Sequence, residues 1–210
     1  MSTNSILQFK SLNDDQKDLL TVNVIKGLVI DGVSNANSGH PGGPMSLADF
    51  TYILYSEFLV FDPKNPDWKN RDRVVLSAGH TCMLIYSILH LCGFLKIDDL
   101  KKFRQLGSLT PGHPEIETPG IDANTGPLGQ GIGMGIGMAL AEKIASNSSR
   151  KRYTYVLAGD GDLQEPIALG ASTLAGHWKL SNLIMFYDKN DIQIAGKTSR
   201  VDSTDYKKLY

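Results

Sequence analysis

Cysteine is nearly absent from this chain, and its scarcity removes whole classes of protein. Only Cys82 and Cys92 occur among 210 residues. Both sit in apolar text and no Cys-x-x-Cys pair exists, so a disulfide framework, a thiolate zinc site and a dithiol redox centre lack the residues to build them. Two reduced core thiols suit a cytoplasmic protein. A dominant charge is missing as well. Lys and Arg number 21 against 22 Asp and Glu, a net charge of −1, which leaves nucleic acid and anionic membranes no electrostatic footprint as partners. The opening MSTNSILQFKSLNDDQK lacks the basic stretch and apolar run of a secretory signal. No apolar run reads as long enough to span a membrane; the nearest, Gly126 to Ala141, is short, rich in glycine and followed by Glu142-Lys143. What is present, 41% hydrophobic and 20% charged residues, suits a sizeable core in one domain, or at most two.

The chain is organised around Tyr153 to Gly196. Tyr153 to Leu157 is apolar, β-branched and aromatic, Gly159-Asp160-Gly161 interrupts it, and Leu183 to Tyr187 is a second apolar run ending in Asp188-Lys189-Asn190. Between them, Glu165 to Trp178 carries small and apolar residues after Pro166, which a first helical turn tolerates. Strand, loop, crossover helix and strand predict parallel pairing, hence an α/β fold with an open parallel sheet and helices on both faces. In such a sheet the carboxyl ends of neighbouring strands share one rim where ligands bind, so Asp160 and Asn190 converge despite their separation. One carboxylate and one amide oxygen suit a hard cation that takes its other ligands from phosphate and water. Gly159 and Gly161 let backbone N–H groups approach that phosphate. Gly-Asp-Gly also makes ordinary tight turns; its position after a buried strand, with a second oxygen ligand after the next strand, favours a site.

Upstream, a helix is predicted from Asn13 to Ser34, with Asn13 as its cap and Asp14 and Asp15 in the positive first turn. Ser34 to Pro44 is loop text around His40, either an imidazole displayed on a tightly held backbone or one that fills a turn. A buried helix is predicted from Ser46 to Phe58, then a polar surface connection, then a strand from Val74 to Ser77. His80 follows at a strand-to-helix turn, where free N–H groups and the helix dipole favour phosphate, and helix resumes from Thr81 to Leu91. His90 and His177, among apolar neighbours, read as packed or locally bonded. Asp98 to Leu106 reads as a short amphipathic helix capped by Asp98. Gly107 to Gly126 is irregular and too long to be idle in a compact chain, and its prolines hold His113. Glycine then recurs at 126, 129, 131, 133, 135 and 137, each costing a helix about 0.5–1 kcal/mol relative to alanine. Close approach must offset that cost: a cofactor ring against the Gly126-Pro127-Leu128 backbone, or another helix, including one of a second subunit, on the glycine face. A phosphate cradle is a weaker match, because no strand precedes it. Asn147 to Arg152 is a polar connection into the organising strand.

Ser38-Gly39-His40-Pro41, Ser77-Ala78-Gly79-His80, Pro111-Gly112-His113-Pro114-Glu115, Thr125-Gly126-Pro127-Leu128-Gly129-Gln130-Gly131, Gly159-Asp160-Gly161 with Glu165, and Tyr187-Asp188-Lys189-Asn190-Asp191-Ile192 stand in the order found in transketolases. From about Gln16 to Gly196 the chain resembles the N-terminal, diphosphate-binding domain of these thiamine diphosphate enzymes. The resemblance implies Mg2+ (or Ca2+) held by the side chains of Asp160 and Asn190 and the main-chain oxygen of Ile192. It implies diphosphate contacts from Gly161 and His80, an aminopyrimidine against Gly126, Pro127 and Leu128, substrate contact and proton movement by His40 and His113, and Glu165 at a subunit interface. The implied reaction moves a two-carbon ketol unit between sugar phosphates, in the pentose phosphate pathway. Residues 1–210 would then be one cofactor-binding domain, cut short at its C-terminal end and inactive without a further domain. That domain would come from a homodimer or from a separately encoded C-terminal subunit. Two alternatives stay open: another thiamine diphosphate enzyme of sugar phosphates, such as a deoxyxylulose phosphate synthase, and a non-catalytic interaction module on the same fold. Pro166, Asp162 and Asp191 depart from the family's usual residues. Asp191 is expected to do little harm where its neighbour Ile192 uses only its carbonyl, yet two added acids near a diphosphate would weaken its binding or bind the cation instead.

Overall fold

Alternation of side chains along three short strands decides the architecture. In the computed structural model, which describes residues 9–145 and 150–210, β1 (Arg73–Leu76), β2 (Thr154–Gly159) and β3 (Leu183–Asp188) form a parallel sheet in the order β1-β2-β3. Leu76 stands opposite Leu157, and Leu157 opposite Phe186. Val74, Leu76, Tyr155 and Leu157 join one buried cluster, whereas Val75, Val156 and Ala158 join another, because successive residues of a strand face opposite sides. The first cluster is covered by α1 (Asp14–Ala36) and α4 (Cys82–Leu91), the second by α6 (Gln130–Ala145) and α8 (Pro166–His177). Helices therefore cover both faces, as expected. The N-terminal tail up to residue 8 and the 147–149 part of the polar connection lie outside the described residues.

Helix α1 starts where the sequence indicates. Asn13 accepts from Gln16 N–H at 2.9 Å, the Gln16 side chain accepts from Asn13 N–H at 3.0 Å, and Asn37 closes the helix in the left-handed region at φ 48°. Val22, Ile25 and Val29 face the core, where Val22 and Ile25 cluster with Ala48, Leu84 and Ile88. One expectation needs correction here: at 23 residues α1 is long and apolar enough, by composition, to cross a membrane. Its apolar text is not an unbroken run, because Asp18, Lys26 and Asp31 are interleaved. Its single buried face, with Lys26 paired to Asp49 at 2.6 Å, packs mainly against α4, as an amphipathic helix in the outer layer of a folded domain does.

The helix expected over Ser46 to Phe58 is divided into α2 (Gly42–Ser46), α3 (Ala48–Ile53) and a π-helical turn at Leu54–Phe58. It begins earlier because Pro44 falls in the first turn, where a missing N–H removes no hydrogen bond. The helix expected from Asp98 to Leu106 shrinks to α5 (Ile97–Leu100). Asp98 is not its cap; Asp99 accepts from the N–H of Lys96 at 2.7 Å instead. The chain then turns away at Arg104, whose φ is 62°.

The glycine run does form a helix, and its partners explain how. A Cβ on Gly131 would lie 2.5 Å from Ser77 Cα, and one on Gly135 would lie 2.4 Å from Val156 Cγ2. The sheet itself is the close neighbour along that face. Helix α8 takes the side of Gly129 and Gly133, where added methyl groups would meet Glu165 and Ile167. Past β2 the chain makes a one-turn helix, α7 (Asp160–Leu163), then α8 with Pro166 in its first turn. After β3, β4 (Ile192–Gln193) pairs antiparallel with β5 (Gly196–Lys197), and α9 (Tyr206–Leu209) follows.

Candidate active site

The carboxyl ends of β2 and β3 meet as parallel pairing requires. Asp160, 4% exposed, accepts from the backbone N–H of Asn190 at 2.8 Å and of Asp191 at 2.9 Å on Oδ2, and from the Tyr187 hydroxyl on Oδ1. Asn190 Oδ1 in turn accepts from Ile192 N–H at 2.9 Å. Burial, then the hydrogen bond to Asp160, raises the Tyr187 pKa. Burial also raises that of Asp188, although the Ser46 hydroxyl donates to it at 3.3 Å. Asp191 sits at φ 60° with its carboxylate on Lys189, so its N–H, not its charge, faces the rim. The donor set fits a hard cation with a phosphate ligand. It offers one carboxylate, one amide oxygen and backbone, with lone pairs left on both side chains. Among the described residues no group of three or more His, Cys, Asp or Glu is placed to hold a metal, so any cation here must draw further ligands from what it binds.

Three histidines from three distant motifs meet beside this rim. The rings of His40 and His80 lie edge to face with centroids 5.2 Å apart. Burial, then the charge on His40, lowers the pKa of His80; burial, then the Arg104 guanidinium and His40, lowers that of His113. Both imidazoles are thereby held neutral near pH 7, in the form that accepts a proton. His113 owes its place to α4. The Tyr86 hydroxyl lies 3.0 Å from the carbonyl of Pro111 and 3.1 Å from that of His113, and the Cys82 thiol donates to Gly112 O at 3.1 Å. Burial pushes the Cys82 thiol up to about 12, so it anchors the loop and is no nucleophile. Arg104 donates to the Ser38 hydroxyl at 3.0 Å, joining the His40 and His113 loops. Sequence reasoning missed Tyr86 and Arg104. The available signal was a tyrosine inside an apolar helix, whose hydroxyl needs a partner.

The Gly126-Pro127-Leu128 loop runs between these groups. Gly126 has φ +152°, and a Cβ there would lie 3.2 Å from the His113 ring; one on Gly79 would lie 2.8 Å from Gly126 N, and one on Gly161 would lie 2.9 Å from Leu128 Cδ1. The structure thus brings His80, His113, Gly126, Leu128 and Gly161 together. Asp162 corrects an expectation. It is fully buried, and its oxygens accept from Ser77 Oγ at 2.6 Å, Gly129 N–H at 2.9 Å and Gly159 N–H at 3.0 Å. Its charge is committed to these donors and is not left to repel a diphosphate or capture a cation. Glu165 abuts Gly129 at the start of α8. His90 bonds Leu95 O through Nδ1 at 2.9 Å, as its local reading expects. His177, read as packed, is instead exposed; it ends α8 and lines an apolar groove of about 1010 Å³ beside β3, which none of the candidate site residues lines.

A parallel rim with an oxygen donor pair, a glycine loop and converging imidazoles defines a phosphate-cofactor domain. Residues 17–210 match the family described as transketolase, thiamine diphosphate binding domain. The chloroplastic transketolase of Zea mays is 55% identical over 188 residues, covering 85% of this chain and 28% of that protein. Transketolase 1 of Saccharomyces cerevisiae is 53% identical over 201 residues, covering 92% and 29%. The crystal structure of a Pichia stipitis transketolase complex with sedoheptulose 7-phosphate superposes with a TM-score of 0.88 at 48% identity, covering 92% of this chain and 30% of that one. The chain belongs to the transketolase family and carries its thiamine diphosphate binding domain. It spans less than a third of the length of these relatives.

Proposed function

We propose that this chain is the diphosphate-binding part of a transketolase that moves a two-carbon ketol unit from a ketose phosphate to an aldose phosphate, using thiamine diphosphate and Mg2+. The observation that carries the reading is the meeting of His40, His80 and His113 beside the Asp160–Asn190 rim. In this reading Asp160, Asn190 and the Ile192 carbonyl hold the cation, with Ca2+ an acceptable substitute. Gly161 and His80 hold the diphosphate, and the Gly126-Pro127-Leu128 backbone receives the aminopyrimidine. When bound, thiamine diphosphate supplies the electron sink for breaking the ketose carbon–carbon bond. The chain's own groups orient the sugar, exclude water and move protons. His40 and His113 do the last, because an imidazole can both accept a proton and return it. The relative solved with sedoheptulose 7-phosphate supports sugar phosphates as substrates. Exposed Ile167, Leu169 and Leu174 on α8, next to Glu165, support a subunit contact there, with a second copy or a separately encoded C-terminal subunit. The free thiols of Cys82 and Cys92 support a reducing compartment such as the cytoplasm. Ketol transfer by these residues alone is not expected, given the share of the relatives' length they span.

Calorimetric titration of thiamine diphosphate with magnesium tests the site. We expect saturable binding that Asp160→Ala and Asn190→Ala each weaken by about tenfold or more. Equal affinity in all three proteins would overturn the assignment.

A further inference from the structure

We propose that Asp162 is a positioning residue that locks the loop receiving the cofactor ring to the rim that holds its diphosphate; this rests on the functional reading above. The sequence marks Asp162 only as a misplaced acid, yet no ligand-facing role is open to it. The carboxylate is 0% exposed, and its two oxygens take three donors from three separate segments. Ser77 directly follows β1, just ahead of the Gly79–Thr81 turn that carries His80. Gly159 is the last residue of β2, just ahead of Asp160. Gly129 follows Gly126-Pro127-Leu128 and stands at φ +76°, where its N–H turns inward to Asp162. A carboxylate is the side chain for this junction. It is acceptor-only, its four lone-pair sites accommodate three donors, and the charge strengthens each bond. An asparagine has one acceptor oxygen and one NH2 group, so one side of the junction would face donor against donor.

The two tied glycines differ in what else holds them. Gly159 is also paired with Asp188 in the sheet, whereas the Gly129 N–H is held by Asp162 across 33 positions of chain. Loss of the carboxylate therefore loosens the ring side more than the diphosphate side. That asymmetry separates positioning from a general structural role.

The test uses the isotope-labelled chain. In Asp162→Ala, hydrogen exchange at the Gly129 amide should quicken by about tenfold or more relative to the Leu157 amide. Affinity for thiamine diphosphate with magnesium should fall by about tenfold, and that for inorganic diphosphate with magnesium by clearly less. Should Asp162→Ala fail to fold, Asp162→Asn keeps the volume and one acceptor and carries the same comparison. Unchanged Gly129 exchange in a folded variant overturns the proposal. So does an equal fall in the two affinities, which is what a structural residue would produce. If the unmodified chain binds no thiamine diphosphate, the functional reading fails separately, and the exchange at Gly129 still decides whether the tie exists.

Discussion

His113 reaches its position through a hydroxyl and a thiol that take no part in proton transfer, and the same burial that admits these anchors sets its protonation. Desolvation lowers the pKa of both His80 and His113 below the ordinary 6.5. Between each folded pKa and 6.5 the unfolded chain binds more protons than the folded one. Stability is thus complete above 6.5 and falls as the pH drops through the folded values. Asp188, raised above 3.8, acts with the opposite sign in a window that starts lower. Urea unfolding should show a lower midpoint at about pH 5.5 than at about pH 7.5, and the difference should shrink in the His80→Gln, His113→Gln double variant. An undiminished difference in that variant would place the dependence elsewhere. Both histidines stood out in the sequence, His113 as a histidine in a tight, proline-bearing loop and His80 as one at a strand-to-helix turn. Tyr86 did not, because a hydroxyl in helical text gives no hint of the loop it meets 25 positions later.

Among the elements, α6 departs furthest from its intrinsic propensity. Glycine every second residue opposes a helix, so the sequence required a close neighbour, expected to be a cofactor ring or another helix. The neighbour is the sheet: Gly131 lies against the Ser77 backbone, which cannot move aside, whereas Gly137 has nothing within 4 Å of an added Cβ. Gly131→Ala should lower unfolding stability by about 1–3 kcal/mol. Gly137→Ala should raise it by about 0.5–1 kcal/mol, by restricting the unfolded chain. Denaturant titration of both variants checks the pair; a stabilising Gly131→Ala would mean that α6 and β1 are not in contact. The short α5 shows the reverse case. Asp98 resembled a cap by composition, but capping depends on which residue leaves the helical path first, and that was Lys96.

Across the whole molecule, the two ends of the sheet carry different work. The carboxyl ends hold the rim, the histidines and Asp162. At the amino end of β1, Asp122 accepts from Arg71 at 2.7 and 3.0 Å and from Val74 N–H at 3.0 Å, fastening the long 107–126 loop to the sheet. Asp122→Ala removes one member of a largely buried pair and should cost about 3–5 kcal/mol in unfolding free energy. A loss below about 1 kcal/mol, the range of an exposed pair, would contradict that burial. The sequence by itself determined the strands, the crossover helix and the parallel pairing of β2 with β3, because side-chain period and glycine breaks are local properties of the text. It also determined that Asp160 and Asn190 share a rim, since parallel pairing leaves no other arrangement. Tertiary structure alone decided the rest: what the glycine helix packs on, which anchors hold His113, and that Asp162 is buried against three backbone and hydroxyl donors. Each of those depends on contacts between segments distant in the chain, and hydrogen-bond partners at that range leave no trace in residue spacing.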